Sequence, residues 1–401
     1  MRSSVTDPVR LRRARAAIFG IFAVNGFLLA AWVVHIPAIS ERTGISHATL
    51  GWLLLLLAGG ALIGMQVAGP LADRYGSRLM VIAAGVFISF GVIGPALATD
   101  ALWLGATLTV FGFGNGALDV SMNSQAVHAE RLYRRPIMSA FHAFFSVGGV
   151  VGSLLGAAVL AAGWAPLTSL TVAAAIGFLT VGACGPFLLP HTAPDHAAPD
   201  QTTRRRPAGG APKKVLALGA LAFALFLSEG VANDWSTLQV KEHLGTSDAT
   251  AALAFGAFAL MMTVGRFGAD RVSAELGPVS VVRYGTLIAA LGIGLVTVSG
   301  WVWLTLTGWA LFGLGLSGCI PQIFTAAGNL SVGSAGVNMS RVVGMGYVGL
   351  LAGPALLGWL TELVPLTATM VVPLVFVLIA SRHAGQVRRS PRAPVELDAR
   401  D

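Results

Sequence analysis

Long apolar runs, separated by short polar or glycine-rich intervals, set the rhythm of the chain. A run of about 20 apolar residues is long enough to cross a bilayer as a helix rising about 1.5 Å per residue. Such runs fall at 16–39, 49–72, 79–99, 101–126, 137–162 and 165–189. After an interruption they resume at 215–238, 249–269, 278–299, 301–327, 340–362 and 365–381. The pattern predicts an all-α integral membrane protein with twelve transmembrane helices, here spans 1 to 12, in two pseudo-symmetric six-helix bundles. The interruption, PHTAPDHAAPDQTTRRRPAGGAPKK at 190–214, is rich in proline, alanine and charge. It reads as a flexible cytoplasmic linker between an N-terminal bundle (1–189) and a C-terminal bundle (215–381), with a cytoplasmic tail at 382–401.

Composition supports this reading. Only 11% of the 401 residues are charged and 55% are hydrophobic, whereas globular domains carry about 25% charged residues. With the N-terminus placed in the cytoplasm, every Lys and Arg except Arg42 and Lys241 falls on the cytoplasmic side. That asymmetry is the positive-inside signature, and it sets both termini in the cytoplasm of a plasma-membrane protein. The net charge of +8 lies in clusters between apolar runs, a topology signal that argues against a nucleic-acid partner. The first run follows Arg10, Arg12, Arg13 and Arg15; it is too long for a signal-peptide core and lacks a small-residue cleavage site. Cys184 and Cys319, far apart in apolar runs, suggest packing rather than a disulfide or a metal site.

The halves carry faint internal similarity. GPLADRYGSR (69–78) is echoed by GRFGADRV (265–272), which sets Asp73 and Asp270 197 residues apart. The same offset superposes Gly149, Gly152 and Gly156 on Gly346, Gly349 and Gly353, as an ancient duplication would.

These features resemble the major facilitator superfamily of secondary transporters along nearly the whole chain. The most specific piece is Gly69-Pro-Leu-Ala-Asp73-Arg74-Tyr-Gly76-Ser-Arg78, which looks like that superfamily's loop between spans 2 and 3. Gly69 and Gly76 suit a tight turn, Asp73 suits a helix N-terminus, and Arg74 and Arg78 hold the inside orientation. The resemblance implies that Asp73 docks against span 11 near Ser340 and Arg341, stabilising an outward-open state, with Asp270 and Arg271 as the second-half counterpart. Within the superfamily the chain is most similar to the fucose permease-like, proton-coupled sugar symporters. The matching residues are Gly112, Gly114, Gly116, Asp119 and Asn123 in span 4, and Ser228-Glu229-Gly230 and Trp235 in span 7. The chain departs from that branch in lacking a proline after Asn123 and an acid in span 1, and in having His142 where the branch has Asn.

Polar side chains inside the runs ask for a reason, since a charge at the bilayer centre costs about 2.5–3.5 kcal/mol on insertion scales. Asp119 and Asn123, four residues apart, share a helix face. Burial disfavours the charged form of a carboxyl in general, so Asp119 is a candidate proton-coupling or substrate-binding group; a structural carboxylate paired with a cation is the plainer alternative. His142 is as far from the span 4–5 turn as Asp119 is, so the two are expected to approach and couple. Glu229 is the second coupling candidate, with Asn233 on its face and Gly230 as a place to bend. Asp234 is expected at the outer rim, as a gate paired with Lys241. Asn25, Asn123, Asn233 and Gln322 are candidate substrate ligands, and Trp32 and Trp235 could stack on a ring. Gln322 follows Pro321, a helix-kinking residue, and has a packing role as its alternative. His35, just before Pro37, is expected near outer water. Trp103, Trp164, Trp301 and Trp303 read as interfacial anchors.

Nothing in the chain matches a zinc-protease, nucleophile-elbow or phosphate-loop motif, so no enzyme and no cofactor is expected beyond a proton gradient. The expectation is a monomeric secondary transporter in the lipid bilayer, moving a small polar solute, such as a sugar, by alternating access and proton symport. A proton antiporter exporting drugs or metabolites is the competing reading.

Overall fold

The computed structural model describes residues 8–133, 137–190, 211–330 and 335–388, apart from a few side chains within them. Each apolar run forms one span. Spans 1 to 6 are Pro8–Thr43, His47–Ala72, Ser77–Leu97, Ala101–Tyr133, Ala140–Ala161 and Pro166–Phe187. Spans 7 to 12 are Lys213–Leu244, Asp248–Ala269, Pro278–Val298, Val302–Ala327, Arg341–Leu360 and Leu366–Val387. The fold is all-α, and an even number of crossings brings the described ends, Pro8 and Arg388, to one face, the terminal face. Most of the proposed linker, 191–210, and the tail from 389 onward lie outside the described residues; helix resumes at Ala211. The tryptophans expected at the interface are all exposed, from Trp164 at 41% to Trp301 and Trp303 at 64%.

Local sequence explains the breaks within spans. Span 10 is interrupted between Leu316 and Cys319. Pro321 has no N–H to give the carbonyl of Ser317, four residues earlier, and its ring crowds that carbonyl. Span 7 does not break at Gly230 but runs unbroken to Leu244. Gly230 instead lets span 11 come close, because a Cβ there would meet the Leu350 carbonyl oxygen at 2.9 Å. Gly69 is likewise inside a helix that continues to Tyr75; the turn is made by Gly76 alone, at φ 91°, a conformation that favours glycine.

The repeat is real, but its register is 201 residues rather than 197. Gly44 and Gly245 end spans 1 and 7, Ser46 and Ser247 cap spans 2 and 8, and Gly76 and Gly277 turn the chain into spans 3 and 9. The glycines of close contacts follow the same offset, with their partners 200 residues apart. Gly148 backs onto the Ala23 carbonyl as Gly349 backs onto that of Phe223; Gly152 faces Phe27 as Gly353 faces Leu227. The Asp-Arg echo at 270–271 is therefore four residues, about one helical turn, out of structural register.

Small residues also bring spans 2 and 4 together. A Cβ at Gly112 or Gly116 would strike the carbonyls of Leu57 or Ala61, and one at Gly60 or Gly64 those of Thr109 or Phe113. Without a hydrophobic drive between helices in lipid, such backbone approach is how they gain packing energy. The glycine seam fixes the height of span 4, and with it the position of Asp119.

At the face opposite the termini, the two halves are latched. Lys241 of span 7 pairs with Glu41 of span 1 at 2.7 Å and with Asp248 of span 8 at 2.9 Å. The neighbouring Glu242 meets His47 of span 2 at 2.7 Å. Behind these, Gly51 packs on Pro354 and Gly358, and Ser153 donates to the Ala252 carbonyl at 2.7 Å. The two basic residues that depart from the positive-inside pattern thus have structural partners: Lys241 in the latch, and Arg42 donating to the carbonyls of Pro95 and Ala98 at the end of span 3.

Replacing Gly116 by Val should destabilise the bundle by about 1–3 kcal/mol through overpacking, whereas Gly182→Ala, with nothing within 4 Å of its Cβ, should be neutral; thermal unfolding in detergent compares them. Lys241→Gln should loosen the latch. With Cys184 and Cys319 replaced by Ser, a cysteine in place of the buried Ser40 should then react several-fold faster with a water-soluble maleimide, and an unchanged rate would show that the ion pairs do not hold this face shut.

Candidate functional site

Between the latch and the terminal face lies a cavity of about 230 Å³ walled by both halves. Helical spacing delivers its lining. Asn115 and Asp119 of span 4 are one turn apart, and Phe226, Glu229 and Asn233 follow one face of span 7. Phe255, Phe258, Ala259, Met262 and Arg266 recur along span 8, while Asn25 of span 1, Phe145 and Ser146 of span 5 and Tyr347 of span 11 complete the wall. A second chamber of about 150 Å³, on the latch side, shares Asn115, Asn233 and Tyr347 with the first and adds Asp234 and Pro354.

The charges of this cavity are few and unevenly matched. Arg266 reaches Glu229 at 3.4 Å through one guanidinium nitrogen and donates to Ser146 across the halves at 3.0 Å through the other. Asp119 accepts a hydrogen bond from the Asn123 side chain at 3.2 Å. Among the described residues no cation stands within ion-pair distance of it, so the paired structural carboxylate is not what the fold builds. Tyr347 lies within electrostatic range of both Asp119 and Glu229. Two amide oxygens in the wall, Asn25 Oδ1 and Asn115 Oδ1, are buried with no hydrogen-bond partner among the described residues, an arrangement that proteins rarely leave unfilled.

Other predicted site residues lie elsewhere. His142 is exposed, with its ring edge-on to Phe22 at 5.4 Å, and it is within electrostatic range of Arg266 rather than Asp119. Equal depth along a hairpin says nothing about which way each helix face turns, and these two faces do not bring the pair together. Asn123 serves Asp119, donating to both its carbonyl and its carboxylate. Asp234 lines the latch-side chamber instead of the rim, and Lys241 takes Glu41 and Asp248 in its place. Trp32 and Trp235 are fully buried core residues, the latter edge-on to His47 at 5.9 Å, so neither offers a face to the cavity. Gln322 accepts from Ser273 at 2.9 Å and is buried between spans, the packing alternative. His35 is buried, bonded through Nδ1 to the Ala31 carbonyl at 2.7 Å, and not at outer water.

The side chains of Asp73 and Asp270 lie outside the described residues. Arg74 stacks on its neighbour Tyr75 at 5.2 Å, Arg78 is half-buried, and Arg271 and Arg341 are exposed. The helix carrying span 11 is already formed at Ala335, so Arg341 sits more than a turn inside it.

Three polar residues of the wall, Arg266, Asn115 and Tyr347, are not among those that the sequence singles out. Arg266 looks like a topology charge, yet it falls inside the apolar run 249–269, where the cost of a buried charge already marks it. Asn115 stands between Gly114 and Gly116 in the same way. Tyr347 carries no such signal, because a tyrosine in an apolar run is common packing.

Comparison with known proteins follows the same lines. The model of the Major Facilitator Superfamily matches residues 17–235. An uncharacterized MFS-type transporter of Yersinia pestis is 33% identical over 92% of this chain and 94% of its own length. Membrane protein MosC of Rhizobium meliloti is 30% identical over 94% of this chain and 90% of its own. Among solved structures, the nucleoside transporter NupG superposes with a TM-score of 0.69 at 12% identity, covering 93% of this chain and 98% of that one. A bacterial homolog of the human lysosomal transporter Spinster, inward-facing and unoccupied, gives 0.71 at 16% identity over 96% and 100%. At those identities the solved structures speak for the fold. With a cavity shared by two repeated bundles and a latch on one side of it, this chain is a member of the Major Facilitator Superfamily, a secondary transporter working by alternating access and not an enzyme.

Proposed function

We propose that the chain is a proton-coupled symporter of a small polar, hydroxyl-bearing solute of about monosaccharide size. Asp119 carries this reading. A carboxyl on the wall of a cavity between the halves, with an amide for company and no cation in reach among the described residues, is held where its charge is costly, and binding a proton removes that cost. A group that changes charge inside a cavity shared by the two halves is what a carrier needs to couple solute to protons.

The rest of the wall suits the solute. The unpartnered oxygens of Asn25 and Asn115 accept hydrogen bonds, so they call for hydroxyl or amine donors. Phe145, Phe226, Phe255, Phe258 and Tyr347 offer apolar faces to the carbon skeleton of a ring. Spans 4 and 7 supply the two carboxyls, as in the sugar symporters that the sequence resembles. Rocking of one bundle against the other would break the latch around Lys241 and Glu242 and expose the same cavity to the opposite side.

Replacing Asp119 by Asn should leave an abundant, folded protein that no longer accumulates solute against its gradient. In proteoliposomes with an imposed pH gradient, radiolabelled uptake should fall to the level seen with a protonophore, while solute exchange at equal pH continues. Undiminished pH-driven accumulation in this variant would remove Asp119 from the coupling.

A further inference from the structure

Arg266 is the guanidinium of the cavity, and it is poorly engaged. It carries five N–H donors in a planar fork suited to binding a carboxylate with two parallel bonds. The contact it has with Glu229 is a single one at 3.4 Å, longer than the about 2.7–2.9 Å of a good charge-assisted bond. Its other guanidinium nitrogen donates to the neutral Ser146 hydroxyl at 3.0 Å. Both partners are partly open to the cavity, with side-chain exposures of 29% for Arg266 and 19% for Glu229. A fork aimed into the cavity and held loosely by one carboxylate oxygen has room for a better partner.

Charge balance says what that partner brings with it. Around Glu229 stand Arg266 from span 8, Tyr347 from span 11 and, across the cavity, Asp119 from span 4; His142 of span 5 lies near Arg266, and Asp234 is one turn along span 7 in the adjoining chamber. The ionised cavity thus holds one guanidinium against Glu229 and Asp119. An incoming anion would add a further negative charge in a site of low dielectric, which is strongly disfavoured unless a proton enters too.

We infer that the solute carries a carboxylate, and that this carboxylate takes the place of Glu229 on Arg266 while Glu229 takes up a proton. The inference rests on the proton-coupled reading above and narrows its solute to polyhydroxylated acids such as sugar acids. In the step, the Arg266–Glu229 ion pair separates, a proton from solvent, relayed by Asp119 across the cavity, bonds to a Glu229 oxygen, and the solute's carboxylate accepts from the freed guanidinium. The solute hydroxyls meet the oxygens of Asn25 and Asn115. One anion and one proton enter together, so this exchange leaves the net charge of the cavity unchanged. Release on the other side reverses each bond.

The test uses the purified full-length protein and solutes matched as neutral and acid forms: glucose with glucuronate, galactose with galacturonate, glycerol with glycerate. Calorimetric titration at mildly acidic and mildly basic pH should show at least one acid binding about tenfold or more tighter than its neutral partner, with affinity rising toward acid pH and protons taken up on binding. Glu229→Gln should raise acid affinity at basic pH by about tenfold and flatten its pH dependence. Arg266→Gln should lose the preference for the acid, and Arg266→Lys, which keeps the charge without the fork, should retain part of it. Equal binding of acid and neutral forms, no binding of any acid by protein that unfolds cooperatively, or an unaltered pH dependence in Glu229→Gln would each overturn the inference. pH-driven uptake of a neutral sugar without acid preference would overturn it while sparing the proton-coupled reading; acid binding with no proton uptake would end both.

Discussion

A charge enclosed between transmembrane helices needs a partner, a proton or a route to water, and the arrangement of this molecule follows from how each of its few charges meets that condition. At the face opposite the termini, Lys241 has two carboxylates and Glu242 has His47, so charge there is paired and joins the halves. In the cavity the matching is incomplete: Arg266 and Glu229 touch through one long contact, and among the described residues Asp119 is bonded by Asn123 and faces no cation at ion-pair distance. Fully paired charge suits a contact that must hold. Incompletely paired charge suits a site whose occupants come and go, because solute and proton can complete it.

The glycines make this economy of charge possible. Where Gly112 and Gly116 of span 4 lie against the backbone of span 2, the helices pack without side chains between them, and Asn115 and Asp119, each three residues further on, line the cavity. The duplicated register of 201 residues repeats such approaches at Gly148 and Gly349, and at Gly152 and Gly353. Close helix–helix seams within each half leave each bundle a stiff body, and the contacts between bundles, the ion pairs of the latch together with the small-residue packing of Gly51 on Pro354 and Gly358, are the ones that alternating access has to break. The superfamily's rocking mechanism is thus built into where glycine and charge are spent along the chain.

Much of this is legible before any coordinates. Twelve spans, their pairing into halves and the oddity of Asp119 follow from run length and from the cost of a charge among apolar residues. What the sequence hides is rotation. Whether Trp32 or Trp235 faces a cavity or a neighbouring helix depends on how each span is turned about its axis, and nearly uniform hydrophobicity, with no polar face, leaves that undetermined; both are core. The same ambiguity misdirected His142 toward Asp119 and Asp234 toward the rim. Arg266 was masked by its position near a span's end, where a basic residue ordinarily reports topology. The repeat offset went astray because, among 50 glycines, several registers align a few of them, whereas the turns at Gly44, Gly76, Gly245 and Gly277 settle it by backbone conformation.

The central claim is that Asp119 itself gains and loses a proton as the carrier works. Infrared difference spectroscopy of the purified protein, stepped across the physiological pH range with and without bound solute, observes the protonated carboxyl directly, and Asp119→Asn assigns its band. The account predicts a carboxyl band that appears with acidification, changes when solute binds and is missing in the variant. A spectrum in which Asp119 contributes nothing, ionised throughout and indifferent to solute, would contradict it.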